Sequence, residues 1–281
     1  MTRLAVRPPR DQLDPGADSA TRHRRRVPRW ALGLIVPTAI IAIWEGGAAS
    51  GVISTRLIPP PSTIATTLYD LAIAGELLGH SVSTTLRVLG GFALGSVVAT
   101  VLGAATGVSE RFENLFDPML QALRNIPSIA WTPLFILWFG IFETSKILMI
   151  ALGVFFPVYL TFSGAIASVD RGLVEVGRVY GFKTTTLIKR ILLPASLPTY
   201  MIGLRNGLGL GWMFVVAAEF LGASQGLGYL LVDGQQTGRP ALIIASIVMF
   251  AVLGKITDKL LRLVGSRFTS WQDGFIRETA T

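Results

Sequence analysis

The 281-residue chain contains no cysteine and only two histidines, His23 and His80, which lie far apart. Without cysteine there is neither a disulfide framework nor a thiolate-ligated metal site, and the isolated histidines form no metal-ligand pair. The sequence also lacks the Gly-x-x-x-x-Gly-Lys-Ser/Thr phosphate-binding loop and the His-Glu-x-x-His zinc motif. We therefore do not expect catalysis, bound ATP or a bound metal in this chain alone.

Charged residues are scarce, at 15% of the chain, against about 25% in soluble domains. Hydrophobic residues make up 51% and the mean hydropathy is +0.57. Thirty glycines and six tryptophans suit helices that pack through small residues and carry aromatic rings at the bilayer interface. The composition predicts an all-α membrane protein. The net charge of +8 does not indicate nucleic-acid binding, because the basic residues flank apolar runs instead of interleaving with aromatic residues.

Long apolar runs predict six transmembrane helices. The runs cover residues 30–49, 88–109, 125–142, 147–169, 206–232 and 240–263. The third contains two prolines, which predict a kinked, short or tilted span. The fifth ends in three glycines and is expected to turn at the outer surface. The connection after the first run contains three consecutive prolines and a helical stretch over residues 63–78, which indicates a structured external loop.

The ends of the chain differ from this central domain. Residues 1–29 contain eight arginines, three aspartates and four prolines, which predict a disordered basic tail. Residues 30–265 form the predicted membrane domain, and residues 266–281 a second tail. The arginines at 24–26 also resemble the start of a signal peptide, with a poor cleavage site at 48–50. An uncleaved first span is favoured, because several further spans follow.

Lysine and arginine are distributed asymmetrically between the two sides of the predicted bilayer. If the N-terminus is inside, the outer segments hold only four of the 25 basic residues, namely Arg56, Arg87, Lys146 and Arg239. Cytoplasmic segments carry the excess of positive charge in membrane proteins. The distribution therefore predicts that both termini and the polar segment 170–195 face the cytoplasm.

The polar segment has a defined spacing of residues. Glu175 is followed six residues later by Gly181, and the segment ends Ile191-Leu-Leu193-Pro194. This spacing resembles the EAA loop of ABC importer permeases, although Val176 and Gly177 stand where that loop has alanine. The resemblance implies two short cytoplasmic helices that meet near Gly181 and dock on an ATPase subunit. Pro194 and Pro198 are expected to end the second helix and start the next span. The ATPase-coupling residues implied are Glu175, Gly177, Tyr180, Gly181, Phe182, Lys183, Ile191, Leu193 and Pro194.

Other motifs extend the resemblance over residues 30–271. They are Leu-Ile-Pro-Pro-Pro at 57–61, Arg-Asn-Ile-Pro at 124–127, Leu-Trp-Phe-Gly at 137–140, Asp-Arg-Gly-Leu-Val-Glu at 170–175 and Gly-Lys at 254–255. All resemble permeases for aliphatic sulfonates, taurine and nitrate within the type I ABC importers, and the aliphatic sulfonate members most of all. Taurine, nitrate or another small substrate remains an alternative. A stand-alone carrier driven by an ion gradient is less favoured, because the spans contain few acids and no repeat.

The resemblance also implies an assembly in the inner membrane. It contains two permease copies, two ATPase subunits that hold ATP and Mg²⁺, and an extracytoplasmic substrate-binding protein. Transport would proceed by alternating access driven by ATP on the partner subunits. This chain would be the non-catalytic transport subunit.

Polar residues and tryptophans in the apolar runs are the candidates for a translocation pathway, because such polar groups are costly unless they face protein or water. They are Arg87, Arg124, Asn125, Trp131, Trp212 and Glu219. A structural role is favoured for Arg87 over anion attraction, and Glu219 is expected to be its partner or a gate. Arg124 and Asn125 are interpreted as cytoplasmic interface anchors, with contact to a leaving anion as the alternative. The tryptophans are expected to line the pathway or to serve as interfacial or packing residues. His80 is expected to be exposed.

Overall fold

A computed structural model describes residues 29–220 and 222–268, and the regular structure in these ranges is helical throughout. The first half contains α1 (Arg29–Ala49), α2 (Pro61–Ile73), α3 (Glu76–Val108), α4 (Glu110–Arg124), a 3₁₀ turn (Ser128–Trp131), α5 (Thr132–Phe139) and α6 (Glu143–Ala167). The second half contains α7 (Arg171–Val179), α8 (Thr184–Leu187), a π turn (Ile188–Leu192), α9 (Leu193–Phe220), α10 (Leu227–Gln236) and α11 (Pro240–Phe268). Apart from Arg29 and residues 266–268, the two predicted tails lie outside the described residues.

Four helices are long and apolar enough to cross a membrane. They are Glu76–Val108, Glu143–Ala167, Thr184–Phe220 and Pro240–Arg267, which correspond to the second, fourth, fifth and sixth predicted spans. The second begins twelve residues earlier than predicted. The helical stretch expected at 63–78 is two helices, because Gly75, with φ of +76°, turns the chain between α2 and α3. The fifth ends at Phe220, and its glycine-rich end forms the connection to α10.

The third predicted span, at residues 125–142, is short, as its two prolines predicted, and its helical part begins and ends three residues inside the predicted bounds. Its helical part, Ser128–Phe139, is shorter than a membrane-spanning helix. The structure instead runs α4, the 3₁₀ turn and α5 antiparallel to α6. Tyr159 donates to Asp117 at 3.2 Å, and Thr132 donates to the Met149 sulfur at 3.3 Å. Hydropathy missed α4 because this helix has a strongly polar face, and Pro127 separates it from the apolar half.

The core is α6, which packs between α3 and α9. Each neighbour presents a row of glycines spaced by four or eight residues, so that the backbones approach closely. A Cβ at Gly103 would lie 3.2 Å from the Tyr159 carbonyl oxygen, and one at Gly207 would lie 2.7 Å from Val158. The rows are Gly91, Gly95, Gly103 and Gly107 on α3, and Gly203, Gly207 and Gly211 on α9. Gly207 and Gly211 thus serve the close helix packing that the high glycine content suggested.

Pro194 and Pro198 do not end a helix, contrary to expectation. The chain is continuously helical from Thr184 to Phe220, with the π turn just before Pro194. In this turn the Leu193 N–H donates to the Ile188 carbonyl. A π turn widens the helix locally, and it accommodates a proline ring that would clash with the carbonyl four residues earlier.

Candidate functional site

The first candidate site begins at α7, whose two ends are both closed by local hydrogen bonds. Asp170 caps the first turn, accepting from the Gly172 N–H at 2.9 Å. At the other end the Gly181 N–H donates to Arg178 and the Phe182 N–H to Gly177, at 2.9 and 3.0 Å. This pair of bonds is a Schellman motif, and it needs a left-handed residue at Gly181, whose φ is +72°. The structure therefore has a fixed turn at Gly181, where the resemblance implied that two short helices meet.

Gly177 brings α7 against the following helix. A Cβ there would lie 2.5 Å from the Leu187 side chain and 2.7 Å from that of Ile191. The departure from alanine at this position therefore has a packing reason. Leu193 and Pro194 are half-buried at the start of α9. The contact makes α7, α8 and the π turn one packed unit at the root of α9.

The rest of the segment is exposed, including Glu175 and Lys183. Arg190 lies over the Phe182 ring at 5.8 Å, a cation–π contact that orders the α7–α8 connection. Four large apolar side chains on neighbouring turns of α7 also lack cover. They are Leu173 at 50% exposure, Val176 at 54%, Val179 at 86% and Tyr180 at 76%. These four residues are called the α7 apolar face below.

A second polar site lies at the N-terminal ends of α3 and α6. The Arg87 guanidinium binds Glu143 with two hydrogen bonds of 2.6 and 2.8 Å and Glu219 with one of 2.6 Å. Glu219 is 1% exposed and also accepts from the Thr84 hydroxyl at 2.8 Å. Lys146 adds an ion pair to Glu143 at 3.0 Å. The pairing of Arg87 with Glu219 favoured from the sequence is therefore present. Thr84 and Glu143 were not singled out, since only the packing of distant helices brings them there.

The connection between α9 and α10 is attached to this cluster. Its backbone N–H groups donate to three side chains: Gly226 to His80 Nδ1 at 2.9 Å, Leu227 to Thr84 at 2.8 Å and Gly228 to Glu219 at 2.7 Å. The expectation that His80 is simply exposed was wrong, because it is partly buried, accepts this bond and stacks on Tyr229. The loop is held by α3 and α9 together.

Residues 222–226 also have the Gly-x-Ser-x-Gly spacing of a nucleophile elbow. Here the segment joins two helices instead of a strand and a helix, so the context that makes such a serine reactive is missing.

The remaining candidates lie in different surroundings. Arg124 and Asn125 are exposed at the end of α4. Trp131 is half-buried and stacks on Phe135. Trp212 is buried, at 8% exposure, and donates to Thr257 on α11 at 2.9 Å, so it joins α9 to α11. The structure thus brings Arg87 and Glu219 together, and separates both from Arg124.

The fold and the two sites are those of a polytopic membrane transport subunit. It has several membrane-length helices, a polar segment that turns at Gly181, and a buried ion-pair cluster. The sequence matches the model of the binding-protein-dependent transport system inner membrane component over residues 91–270. The chain belongs to this family, and it is an ABC transporter permease subunit of the inner membrane. Curated relatives align with most of the chain, so the relationship is visible in the sequence and not only in the fold.

Two of these relatives are SsuC proteins, named as aliphatic sulfonates transport permeases. The Bacillus subtilis protein is 44% identical over 88% of this chain and 89% of its own length. The Escherichia coli K12 protein is 36% identical over 91% of this chain and 98% of its own. The Escherichia coli taurine transport system permease TauC is 30% identical over 89% and 95%.

Among solved structures, a chain of the MetNI methionine ABC transporter in an inward facing conformation has the same fold. The TM-score is 0.60 at 17% identity, covering 71% of this chain and 97% of that chain. The likeness supports the type I permease fold.

Proposed function

We propose that this chain is the membrane permease of an ATP-driven importer that passes aliphatic sulfonates, or a related small oxyanion, into the cell by alternating access. Two copies form a homodimer in the bilayer, two ATPase subunits bind on the cytoplasmic side, and an extracytoplasmic binding protein delivers the substrate. The names of the relatives that align over most of the chain support sulfonates first and taurine second.

The observation that carries the coupling role is the α7 apolar face. Side chains such as Val179, at 86% exposure, and Tyr180, at 76%, are costly in water and typical of protein interfaces. The distribution of basic residues supports a cytoplasmic position for α7 and both termini. Since the sequence has no phosphate-binding loop, ATP, Mg²⁺ and hydrolysis belong to the ATPase subunits, and this chain is non-catalytic.

The helix geometry gives a route for coupling. α7 packs on the next helix through Gly177, and α8, the π turn and α9 form one continuous helix of 37 residues from Thr184 to Phe220. At its far end α9 carries Glu219, which holds the loop between α9 and α10. A displacement of α7 by an ATPase subunit therefore moves one rigid helix whose other end supports the outer connection.

The test is uptake by proteoliposomes that contain the chain, its ATPase and its binding protein. Labelled alkanesulfonate should accumulate only with ATP and with both partners present. The Glu175→Ala/Gly181→Trp double variant should lose uptake, because it removes an exposed acid of the coupling segment and forces a side chain into the left-handed turn. Full uptake by this variant, or uptake by the purified chain without ATP, would contradict the proposal. Uptake of taurine or nitrate alone would reassign the substrate.

A further inference from the structure

Arg124 lies near the centre of the crossing helices, and not at a membrane surface. The contacts with α6 set its depth: Asp117 is opposite Tyr159 and Thr132 is opposite Met149. Arg124 is seven residues after Asp117 and eight before Thr132. Arg124 is therefore level with the point of α6 halfway between Met149 and Tyr159. This point falls within about one residue of the middle of the 25-residue α6, which is roughly 18 Å from either end of the helix at 1.5 Å per residue.

The helix is interrupted at this level. α4 ends at Arg124, and helical structure resumes at Ser128 after Pro127. The Arg124 side chain is exposed, and among the residues that the structure describes none forms an ion pair or hydrogen bond with it. An arginine at this depth is costly in lipid, so it must face water, protein or a charged ligand.

A polar cavity beside α4 leads towards this level and ends at Gln121, just under one helical turn before Arg124. Glu113, Asp117 and Gln121 recur at helical spacing on one face, and at 100° per residue Arg124 falls on that face as well. The three polar residues line a cavity of about 240 Å³, with Thr106, Tyr159 and Ser163 on the opposite walls. The cavity lies in the half of the molecule nearest α7. The opposite face of α4 is apolar, with Leu115 70% exposed.

We propose that Arg124 binds the anionic group of the transported substrate at the centre of the membrane. It would do so at the deepest point of a water-filled vestibule that opens to the cytoplasm and is lined by α4. The inference rests on the proposed function as an importer of small oxyanions. A guanidinium matches a sulfonate or carboxylate with two parallel hydrogen bonds. Glu113 and Asp117 lie between this point and the cytoplasm, and their charge disfavours a second anion in the vestibule after release.

The first test compares variants in the complete assembly with ATPase and binding protein. Arg124→Gln should lower alkanesulfonate uptake roughly 10- to 100-fold, the value of a charge-assisted hydrogen-bonded pair. Arg124→Lys should retain more uptake than Arg124→Gln, because it keeps the charge. Basal ATP hydrolysis should remain in both, which shows that the assembly is intact. Arg111→Gln, at the start of the same helix, is the matched control and should transport normally. Uptake by Arg124→Gln within twofold of the parent would overturn the proposal.

A second test does not depend on which substrate is carried. Because the chain has no cysteine, Arg124→Cys provides a single thiol in each copy of this chain. It should react with a water-soluble anionic methanethiosulfonate, because the proposal places this position in water. Leu115→Cys, about half a turn away around α4, should be unreactive. An unreactive Arg124→Cys, or equal reactivity at both positions, would overturn the proposal. If the parent assembly carried no sulfonate, the proposed substrate would fail while the labelling still decided whether position 124 faces water.

Discussion

Arg87 and Arg124 are two arginines within the membrane-crossing part of one chain, and their surroundings are opposite. Arg87 is 7% exposed and makes hydrogen bonds to Glu143, Glu219 and a backbone carbonyl. Arg124 is exposed at a helix break and has no partner among the described residues. The protein uses four of the five N–H donors of Arg87, so this cation has little capacity left for a ligand. The comparison therefore assigns Arg87 to structure and Arg124 to transport.

The largest effect on stability should come from removing the paired arginine. Arg87→Met leaves Glu219 buried without its ion-pair partner, which costs about 3–5 kcal/mol when one member of a buried pair is lost. Arg124→Met should change stability by less than about 0.5 kcal/mol, as expected for a side chain with no partner to lose. The measurement is unfolding of the detergent-solubilised chain.

The Arg87→Met/Glu219→Met double variant sharpens the same comparison. It should recover part of the loss, because no uncompensated charge remains buried. Equal destabilisation by Arg87→Met and Arg124→Met would break the distinction between the two sites.

An intermediate effect is expected where the loop between α9 and α10 meets the cluster. Gly226 has φ of +133°, and a Cβ there would lie 2.5 Å from a Glu219 carboxylate oxygen. Gly226→Ala should therefore destabilise the chain by about 1–3 kcal/mol through strain and overlap. Gly209→Ala, in α9 with open space around it, should be neutral or stabilising by up to about 1 kcal/mol. The two melting curves should shift in opposite directions, and a neutral Gly226→Ala would show that the loop is not fixed by the cluster.

The smallest effect on stability is expected at Trp212, whose indole N–H makes one hydrogen bond. Trp212→Phe removes the donor to Thr257 and should cost about 1 kcal/mol. Trp138→Phe, at a 58% exposed position, should cost less than about 0.5 kcal/mol. Thermal shifts of the two variants measure the difference. If Trp212→Phe instead lowered uptake without changing stability, Trp212 would belong to the pathway with Arg124.

Local signals in the sequence predicted much of this arrangement. Membrane-length apolar runs located four helices, Gly181 marked the turn after α7, and the single acid at Glu219 suggested a partner for Arg87. The sequence was uninformative or misleading where the outcome depends on contacts between distant segments. Hydropathy treated the polar face of α4 as a loop, and the depth proposed for Arg124 rests on how that helix packs on α6. The role of His80 depends on the Gly226 N–H, which is 146 residues away.

The most direct test of the account is whether an ATPase subunit covers the α7 apolar face. In the cysteine-free chain, Val179→Cys gives one thiol at an 86% exposed position, and Val52→Cys gives one at an 83% exposed position in the loop after α1. A short thiol-to-amine cross-linker is added to the complete assembly. The account predicts that Val179→Cys is cross-linked to the ATPase subunit and that Val52→Cys is not cross-linked to it. A Val179→Cys thiol that never cross-links to the ATPase, and that stays equally reactive to soluble reagents with or without it, would contradict the account.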